Sequence, residues 1–308
     1  MVILSGMFNL CTMRACILLY LLFFSWFGQV QAAPAPIHDT MNSIDPYTWR
    51  ISDGWSNGGM FAVGWRADHV DIYANTLRLT LNNMPCVNNA ALCSGAAYAA
   101  GEYSSQVLLP AGQITFRAKV AKASGVVTGL FLYTGASDNQ PHDEIDIEFL
   151  GKDTTQVQFN YFVSGVGGHE ALIPLGFDAS LAMHNYSITW DATHITWSVD
   201  GVVKHEVKNV ALPTSTMRIF TNLWAAKTVD AWSGIYVYQQ PLYSYVDKVD
   251  YVPAVSGVNS SSNSASNTSV NTASGGCITQ IWSRQAWSWQ ILVSFALFVV
   301  GLFKCKAR

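Results

Sequence analysis

Three carboxylates at alternate positions are the feature of this sequence with the clearest potential for chemistry. They are Glu144, Asp146 and Glu148, in the segment His-Asp-Glu-Ile-Asp-Ile-Glu-Phe-Leu-Gly. Side chains alternate between the two faces of a β-strand, so the acids share one face and Ile, Ile and Phe share the other. Neighbouring like charges destabilise a sheet, which a purely structural strand is expected to avoid. A divalent-cation site and a solvated face are the alternative interpretations.

Carboxylates in this pattern suit the cleavage of a glycosidic bond. Retaining hydrolysis needs two carboxyl groups roughly 5 Å apart, one acting as nucleophile and the other as acid and then base. On an ideal strand the Cα atoms of Glu144 and Glu148 lie about 13 Å apart, a gap that long side chains on a curved sheet can close. Asp146 between them would keep the pKa of the acid high until its proton is needed.

The elements that must position these acids are short strands. Two consecutive hairpins are predicted over residues 186–207, the second with an Asp200-Gly201 turn. Other strand-like runs, with no convincing amphipathic helix among them, lie at residues 77–81, 113–120, 126–133, 145–150 and 157–163. Regular strands without helices predict an all-β domain over residues 34–254, built as a two-sheet antiparallel sandwich.

Aromatic residues are frequent where loops are expected, alongside Asn and Gly. The tryptophans of this kind are Trp49, Trp55, Trp65, Trp224 and Trp232. A sugar ring offers an apolar face for stacking and a rim of hydroxyls for amide and carboxylate partners. The pattern therefore favours a carbohydrate ligand, with burial in the sandwich core as the alternative for each tryptophan.

Composition excludes two classes of protein. The 308 residues are 50% hydrophobic and 12% charged, so the chain can bury a large core and is not disordered throughout. The net charge is -3 and no basic block is present, so no nucleic-acid partner is expected. A monomer is the plain expectation for the domain.

Both ends of the chain have the character of targeting segments. Residues 1–33 combine Arg14, an apolar run and small residues before a cleavage site, which predicts a secretory signal peptide, or alternatively a membrane anchor. Residues 255–280 are rich in Ser, Asn and Thr and predict a stalk. Residues 281–308 predict a C-terminal hydrophobic anchor, either a single-pass span or a lipid-anchor signal. We therefore expect a membrane-tethered domain at the cell surface or outside the cell.

Cysteines and sequons agree with a secretory route. Cys86 and Cys93 lie close together and are expected to form a loop disulfide, with two free thiols as the alternative. Asn185, Asn259 and Asn267 begin Asn-X-Ser or Asn-X-Thr motifs, which are glycosylation acceptors in a eukaryotic host.

The strand with the three acids resembles the active-site strand of glycoside hydrolase family 16. The stretch 142–169, including Phe-Leu-Gly-Lys-Asp-Thr-Thr-Gln-Val-Gln-Phe-Asn-Tyr, is similar to bacterial lichenases, the endo-1,3-1,4-β-glucanases, and the likeness extends over residues 40–252. It implies a curved antiparallel jelly-roll sandwich of the concanavalin A type. It also implies a glucan-binding cleft on the concave face and a retaining mechanism.

The resemblance implies a role for individual residues. Glu144 matches the nucleophile, Glu148 the acid/base and Asp146 an assisting carboxylate. Asp247 matches a structural calcium ligand, and no other cofactor is expected. The side chains expected to bind sugar in the cleft are Asn57, Phe61, Glu102, Phe131, Tyr133, His142, Asn160, Asn222, Trp224 and Trp232.

Some positions depart from the lichenase pattern. His142 stands where lichenases have Trp, and His-Asp-Glu-Ile-Asp is instead typical of plant xyloglucan endotransglucosylases. Ser104 replaces an Arg that contacts sugar, and Phe162 replaces a Tyr. The leading hypothesis is a retaining endo-β-glucanase acting on 1,3-1,4-β-glucan. The alternatives are a cell-wall glucan or xyloglucan transglycosylase using the same site, and a non-catalytic glucan-binding module.

Overall fold

A computed structural model describes residues 34–84 and 96–254. The predicted signal peptide, the Cys86–Cys93 disulfide, the stalk and the C-terminal anchor lie outside these residues and stay predictions. No helix within the two described ranges is long and apolar enough to cross a membrane.

The described residues form strands joined by short loops. In chain order the first strands are β1 (Ile37–Asp39), β2 (Trp49–Ile51), β3 (Val63–Trp65), β4 (Val70–Tyr73), β5 (Thr76–Asn82), β6 (Tyr98–Ala100), β7 (Glu102–Ser105), β8 (Gly112–Lys119) and β9 (Val126–Thr134). The remaining strands are β10 (Asp143–Leu150), β11 (Gln156–Phe162), β12 (Ala171–Pro174), β13 (His184–Trp190), β14 (His194–Val199), β15 (Val202–Lys208), β16 (Arg218–Ala225) and β17 (Leu242–Pro253). Helical turns within the described ranges are short: the 3-10 helices Ala67–His69 and Ala136–Asp138 and the α-helix Asp230–Ser233.

The strands form two sheets. A ten-stranded sheet has the order β15-β14-β13-β8-β17-β5-β6-β3, with β1 added beside β17 and β4 beside β5. A seven-stranded sheet has the order β12-β11-β10-β9-β16-β7-β2 and places β10 in its interior. The pairings within the described strands are antiparallel except that β3 and β6 run parallel. The predicted all-β jelly-roll sandwich is confirmed.

The core lies between the sheets and decides which way the acids of β10 point. Ile145, Ile147 and Phe149 are fully buried against the opposite sheet. The indole Nε1 of Trp197, on β14, donates across the sandwich to the backbone oxygen of Asp146 at 3.0 Å. Burying each large apolar side chain contributes roughly 1.5–3 kcal/mol. Alternation along β10 therefore sends its acids to the outer face of the seven-stranded sheet.

The hairpin predicted at residues 186–207 has the expected turn. β14 ends at Val199 and β15 begins at Val202, and the backbone φ angles of Asp200 and Gly201 are 48° and 78°. Positive φ at both central residues is the requirement of the tight turn that matches strand twist.

Candidate active site

Three rows of side chains cross the outer face of the seven-stranded sheet, set by the register of its strands. The first row, starting on β11, contains Phe162, Glu144, Tyr133 and Arg218. The second row contains Asn160, Asp146, Phe131, Phe220 and Ser104. The third row contains Gln158, Glu148, Gly129, Asn222 and Glu102. Each acid of β10 thus belongs to a separate row.

A cleft of about 1210 Å³ lies over these rows. Its volume exceeds that of an ordinary small-ligand pocket, so it accommodates several sugar rings. The three acids line it, together with all ten side chains that the sequence predicts for sugar binding: Asn57, Phe61, Glu102, Phe131, Tyr133, His142, Asn160, Asn222, Trp224 and Trp232. The fold therefore brings into one cleft residues that are up to 175 positions apart in the sequence.

Glu148 is held by a chain of neutral hydrogen bonds. Gln158 Nε2 donates to Glu148 Oε2 at 2.9 Å, and Trp232 Nε1 donates to Gln158 Oε1 at 3.0 Å. Burial and the charge of Glu144 raise the pKa of Glu148 to about 7, against the lowering effect of the Gln158 amide. Glu148 is therefore suited to hold a proton near neutral pH and to release it.

Asp146 occupies the middle of the acid ladder and is only 4% exposed. Burial raises its pKa well above the ordinary value, and the charges of Glu144 and Glu148 add to the effect. A hydrogen bond with Glu144 acts in the same direction. Asp146 thus favours its protonated form and is hydrogen-bonded to its neighbour Glu144.

Glu144 meets a basic group as well as an acid. His142 Nε2 lies 2.6 Å from Glu144 Oε2, and this hydrogen bond raises the pKa of His142. The imidazole stacks on Phe162 at 5.0 Å between ring centroids and faces Tyr133 edge-on at 5.2 Å. Glu144 is therefore held between the imidazole of His142 and the carboxyl group of Asp146.

Asp143 fixes the start of β10. Its carboxylate accepts the backbone N–H groups of Ser164, Thr214 and Ser215 at 2.9, 3.1 and 3.1 Å. Burial raises the pKa of Asp143, but these hydrogen bonds outweigh it and lower the pKa overall. The charged Asp143 thus ties two loops to the strand end that carries Glu144.

The other side of the cleft is built around Glu102 on β7. Its carboxyl group accepts from Ser52 Oγ at 2.6 Å and from Asn222 Nδ2 at 3.1 Å, and burial raises its pKa. Gly129 separates Asn222 from Glu148 in the third row. A Cβ atom at Gly129 would lie 2.6 Å from Asn222 Oδ1, so only glycine leaves this floor position open.

Gln158 and Arg50 are among the lining residues that were missed from the sequence. Gln158 alternates with Asn160 on β11, so the period of a strand gave a usable signal that it faces the acids. Arg50 on β2 lies beside Ser104, and its Nε donates to Ser104 Oγ at 2.9 Å. Arg50 thus brings an arginine into the cleft beside Ser104, the position at which the lichenase pattern has Arg. No local sequence pattern indicates that Arg50 lies there.

Asp247 lies on β17, outside the cleft, at an irregularity in the pairing of β17 with β8. Its Oδ2 pairs with the guanidinium of Arg117, whereas its Oδ1 is buried without a hydrogen-bond partner. Within the described ranges there is no group of three His, Cys, Asp or Glu side chains that could hold a metal ion. One carboxylate oxygen beside a guanidinium fits calcium poorly. Calcium at Asp247 stays a prediction.

Comparison with known proteins places this cleft in a family. The sequence profile of glycosyl hydrolases family 16 matches residues 57–242. A beta-glucanase of Paenibacillus polymyxa is 45% identical over 213 residues, which cover 69% of this chain and 86% of the relative. A beta-glucanase of Bacillus subtilis is 41% identical over 75% of this chain and 93% of its own length.

Solved structures agree in fold. The Bacillus licheniformis beta-glucanase superimposes with a TM-score of 0.66 at 39% identity, covering 72% of this chain and 99% of that one. An apo Crh5 transglycosylase has a TM-score of 0.56 at 23% identity, covering 72% of this chain and 85% of that one. At that identity the second likeness concerns the fold alone.

Proposed function

The chain belongs to glycosyl hydrolases family 16 and is a glycoside hydrolase, and we propose that it is a retaining endo-β-glucanase that cleaves mixed-linkage 1,3-1,4-β-glucan. The observation that carries the proposal is the arrangement of Glu144, Asp146 and Glu148 on the floor of the cleft. The pKa of one outer acid, Glu148, is raised to about 7, and the other, Glu144, is hydrogen-bonded to His142. Relatives at 40–45% identity are beta-glucanases, which supports the substrate class.

In the first step of the proposed reaction, Glu148 donates its proton to the glycosidic oxygen. An oxygen of Glu144 attacks the anomeric carbon as the bond to the leaving sugar breaks, and a glycosyl ester forms. Asp146, which keeps its own proton, hydrogen-bonds to Glu144 and holds it against the strand.

In the second step, water replaces the leaving sugar. Glu148, now a carboxylate, accepts a proton from this water while the water oxygen attacks the anomeric carbon and the ester bond to Glu144 breaks. The charge of Glu144 is one cause of the raised pKa of Glu148. Ester formation removes that charge, so the pKa of Glu148 falls when it must act as a base and recovers on product release.

The cleft walls support a polymeric substrate. Phe61 and Trp224 stack at 4.1 Å and form one aromatic wall, with Trp232 next to Trp224 at 6.0 Å. Such rings match the apolar faces of sugar units, and the amides of Asn160 and Asn222 suit their hydroxyl groups. A cleft of about 1210 Å³ accommodates several sugar units, which fits cleavage within a chain.

A second candidate activity is transfer of the glycosyl group to another glucan. The motif His-Asp-Glu-Ile-Asp, which begins at His142, favours this transferase activity. The site and the ester would be the same, and only the acceptor would differ. We further propose that the protein acts outside the cell, tethered by its C-terminal segment, because of the targeting character of both ends of the sequence.

The experiment that tests both activities sizes the products made from mixed-linkage glucan, laminarin and xyloglucan, each with and without a labelled oligosaccharide acceptor. Short oligosaccharides from mixed-linkage glucan, released with retained anomeric configuration, are the expected result. Labelled polymer would favour the transferase. Cleavage of laminarin alone, or products of inverted configuration, would contradict the proposal.

A further inference from the structure

His142 does more in the structure than line the cleft. It immediately precedes β10, and its Nε2 lies 2.6 Å from Glu144 Oε2. The ring stacks on Phe162 with only 17° between the two planes, while Tyr133 meets it edge-on. The backbone oxygen of His142 accepts the N–H of Gly165 at 2.7 Å. The imidazole is therefore fixed by contacts from β9, β11 and the loop that follows β11.

The register explains why this histidine reaches the acid. Phe162 and Tyr133 are the cross-strand neighbours of Glu144 in the first row, on either side of it. Their rings extend beyond Glu144 and form a slot that the imidazole fills. A side chain held in this slot has its Nε2 directed at the carboxylate, whereas a free surface side chain samples many rotamers.

Glu144 has two oxygens, and the proposed reaction uses one of them as nucleophile. Its carboxyl group is engaged by Asp146 as well as by His142. A carboxylate held by two donors has little freedom to rotate, so the attacking oxygen meets the anomeric carbon in a productive orientation more often.

We propose that His142 is a positioning residue for the nucleophile: its Nε2–H holds one oxygen of the Glu144 carboxylate so that the carboxylate is aligned for attack. The inference rests on the proposed function of Glu144. The proton stays on Nε2 throughout, and the only bonds made and broken are those of the glycosyl ester. His142 thus acts through Glu144, and its contribution belongs to the chemical step.

The side chains that surround His142 define its electrostatic setting. Along the chain, Asp143 and Glu144 follow His142 directly, and the hydrogen bond to Glu144 and the charges of both acids raise the pKa of His142. Tyr133 faces it from β9 as a neutral phenol, and β11 contributes the apolar ring of Phe162. A protonated His142 makes the stronger, charge-assisted hydrogen bond to Glu144.

Two amide substitutions that differ in length by one methylene group test the proposal. In His142→Gln the side-chain amide nitrogen can take the place of Nε2, whereas in His142→Asn it takes the place of Nδ1 and does not reach Glu144. We expect His142→Asn to lower the rate constant for attack by Glu144 by about 10- to 100-fold, with little change in substrate binding. His142→Gln should restore most of that rate constant. His38→Gln, on the distant β1, should match the wild-type protein.

The substrate should be a β-glucan oligosaccharide with a 2,4-dinitrophenyl leaving group, which departs without a proton from Glu148. Its burst of dinitrophenol reports attack by Glu144 alone. A burst rate constant for His142→Asn within twofold of wild type would overturn the proposal, as would equal losses in the Gln and Asn variants or a loss confined to the substrate concentration that half-saturates the burst. Thermal melting of each variant identifies any that is unfolded, and His142→Gln and His142→Ala then carry the comparison.

This experiment separates the inference from the proposed function. If the wild-type protein releases no dinitrophenol, or if Glu144→Gln retains its rate, then the assignment of the nucleophile fails. If Glu144→Gln is inactive while His142→Asn is fully active, then only the role of His142 fails.

Discussion

The two outer acids of β10 lie four residues apart on one strand, yet their surroundings differ in kind. Glu144 is paired with His142, a group able to carry positive charge. Glu148 is paired with Gln158, a neutral amide held in turn by Trp232. The neutral amide lowers the pKa of Glu148 too little to offset burial and the charge of Glu144, which together raise it to about 7. We therefore attribute the different proposed roles of these two identical side chains, nucleophile and acid, to their neighbours.

The largest expected effects come from replacing each of these two acids, and they should differ in whether they depend on protonation of the leaving group. Glu148→Gln should lower kcat on mixed-linkage glucan by about 10²- to 10⁴-fold, because general acid catalysis contributes that much. With a dinitrophenyl leaving group the first step should stay close to the wild-type rate. Glu144→Gln should lose both reactions, measured as a dinitrophenol burst. An equal response of the two variants to the leaving group would abolish the distinction.

The next largest effect is expected from the two neutral side chains that hold Glu148, Gln158 and Trp232. Gln158→Ala removes the amide that lowers the pKa of Glu148, so that pKa should move above about 7. Activity that needs the protonated acid should then persist to higher pH than in the wild-type protein, while kcat falls about 10-fold because the acid is less well oriented. Trp232→Phe keeps a ring and removes only the N–H donor, so its effect on the pH profile should be smaller. An alkaline limb that moves to lower pH would contradict the assignment.

A residue remote from both outer acids should affect binding alone. Arg50→Ala removes the guanidinium beside Ser104, and we expect KM to rise about 5- to 10-fold with kcat within twofold, as for the loss of one hydrogen bond to substrate. Arg50→Lys keeps the charge and should lie between the two. A fall in kcat without a change in KM would place Arg50 in the chemical step.

The raised pKa of Glu148 should also cost stability. Its folded pKa of about 7 lies above the ordinary value of 4.5, so the folded state binds the extra proton and the stabilisation from this group is lost as pH rises through that window. Glu148→Gln should therefore raise Tm by about 2–6 °C at pH 8. At pH 4 the Glu148 carboxyl group is mostly protonated in both the folded and the unfolded protein, and Gln does not titrate. The Tm values of the wild-type protein and the variant should therefore agree. An equal Tm difference at both pH values would exclude this origin.

The smallest expected effect concerns Asp247. Arg117 already pairs with its carboxylate, so adding calcium or a chelator should move Tm by less than about 2 °C. Arg117→Gln removes the competing cation and should make Tm respond more strongly to calcium. A large shift in the unaltered protein would instead place an occupied calcium site at Asp247.

Local periodicity was enough to predict eight of the described strands, β5, β8–β11 and β13–β15, and the common face of the three acids. Residues 126–133 and 145–150 fall within β9 and β10, because alternating apolar residues mark a half-buried strand wherever it lies in the sheet. Contacts between strands that are distant in sequence could not be read in this way. Arg50 meets Ser104, and Arg117 meets Asp247, only through the register of non-consecutive strands and an irregularity in β17.

Gly129 has a consequence for how this sequence can diverge. Its position needs the absence of a side chain because of one named atom, Asn222 Oδ1, on the neighbouring strand. A side chain at position 129 is therefore held back by Asn222, and a change at 129 is expected to follow or accompany a change at 222. In a library randomised at both positions, active clones with Ala at 129 should carry a smaller residue at 222, which would trade a sugar-binding amide for a shallower cleft floor.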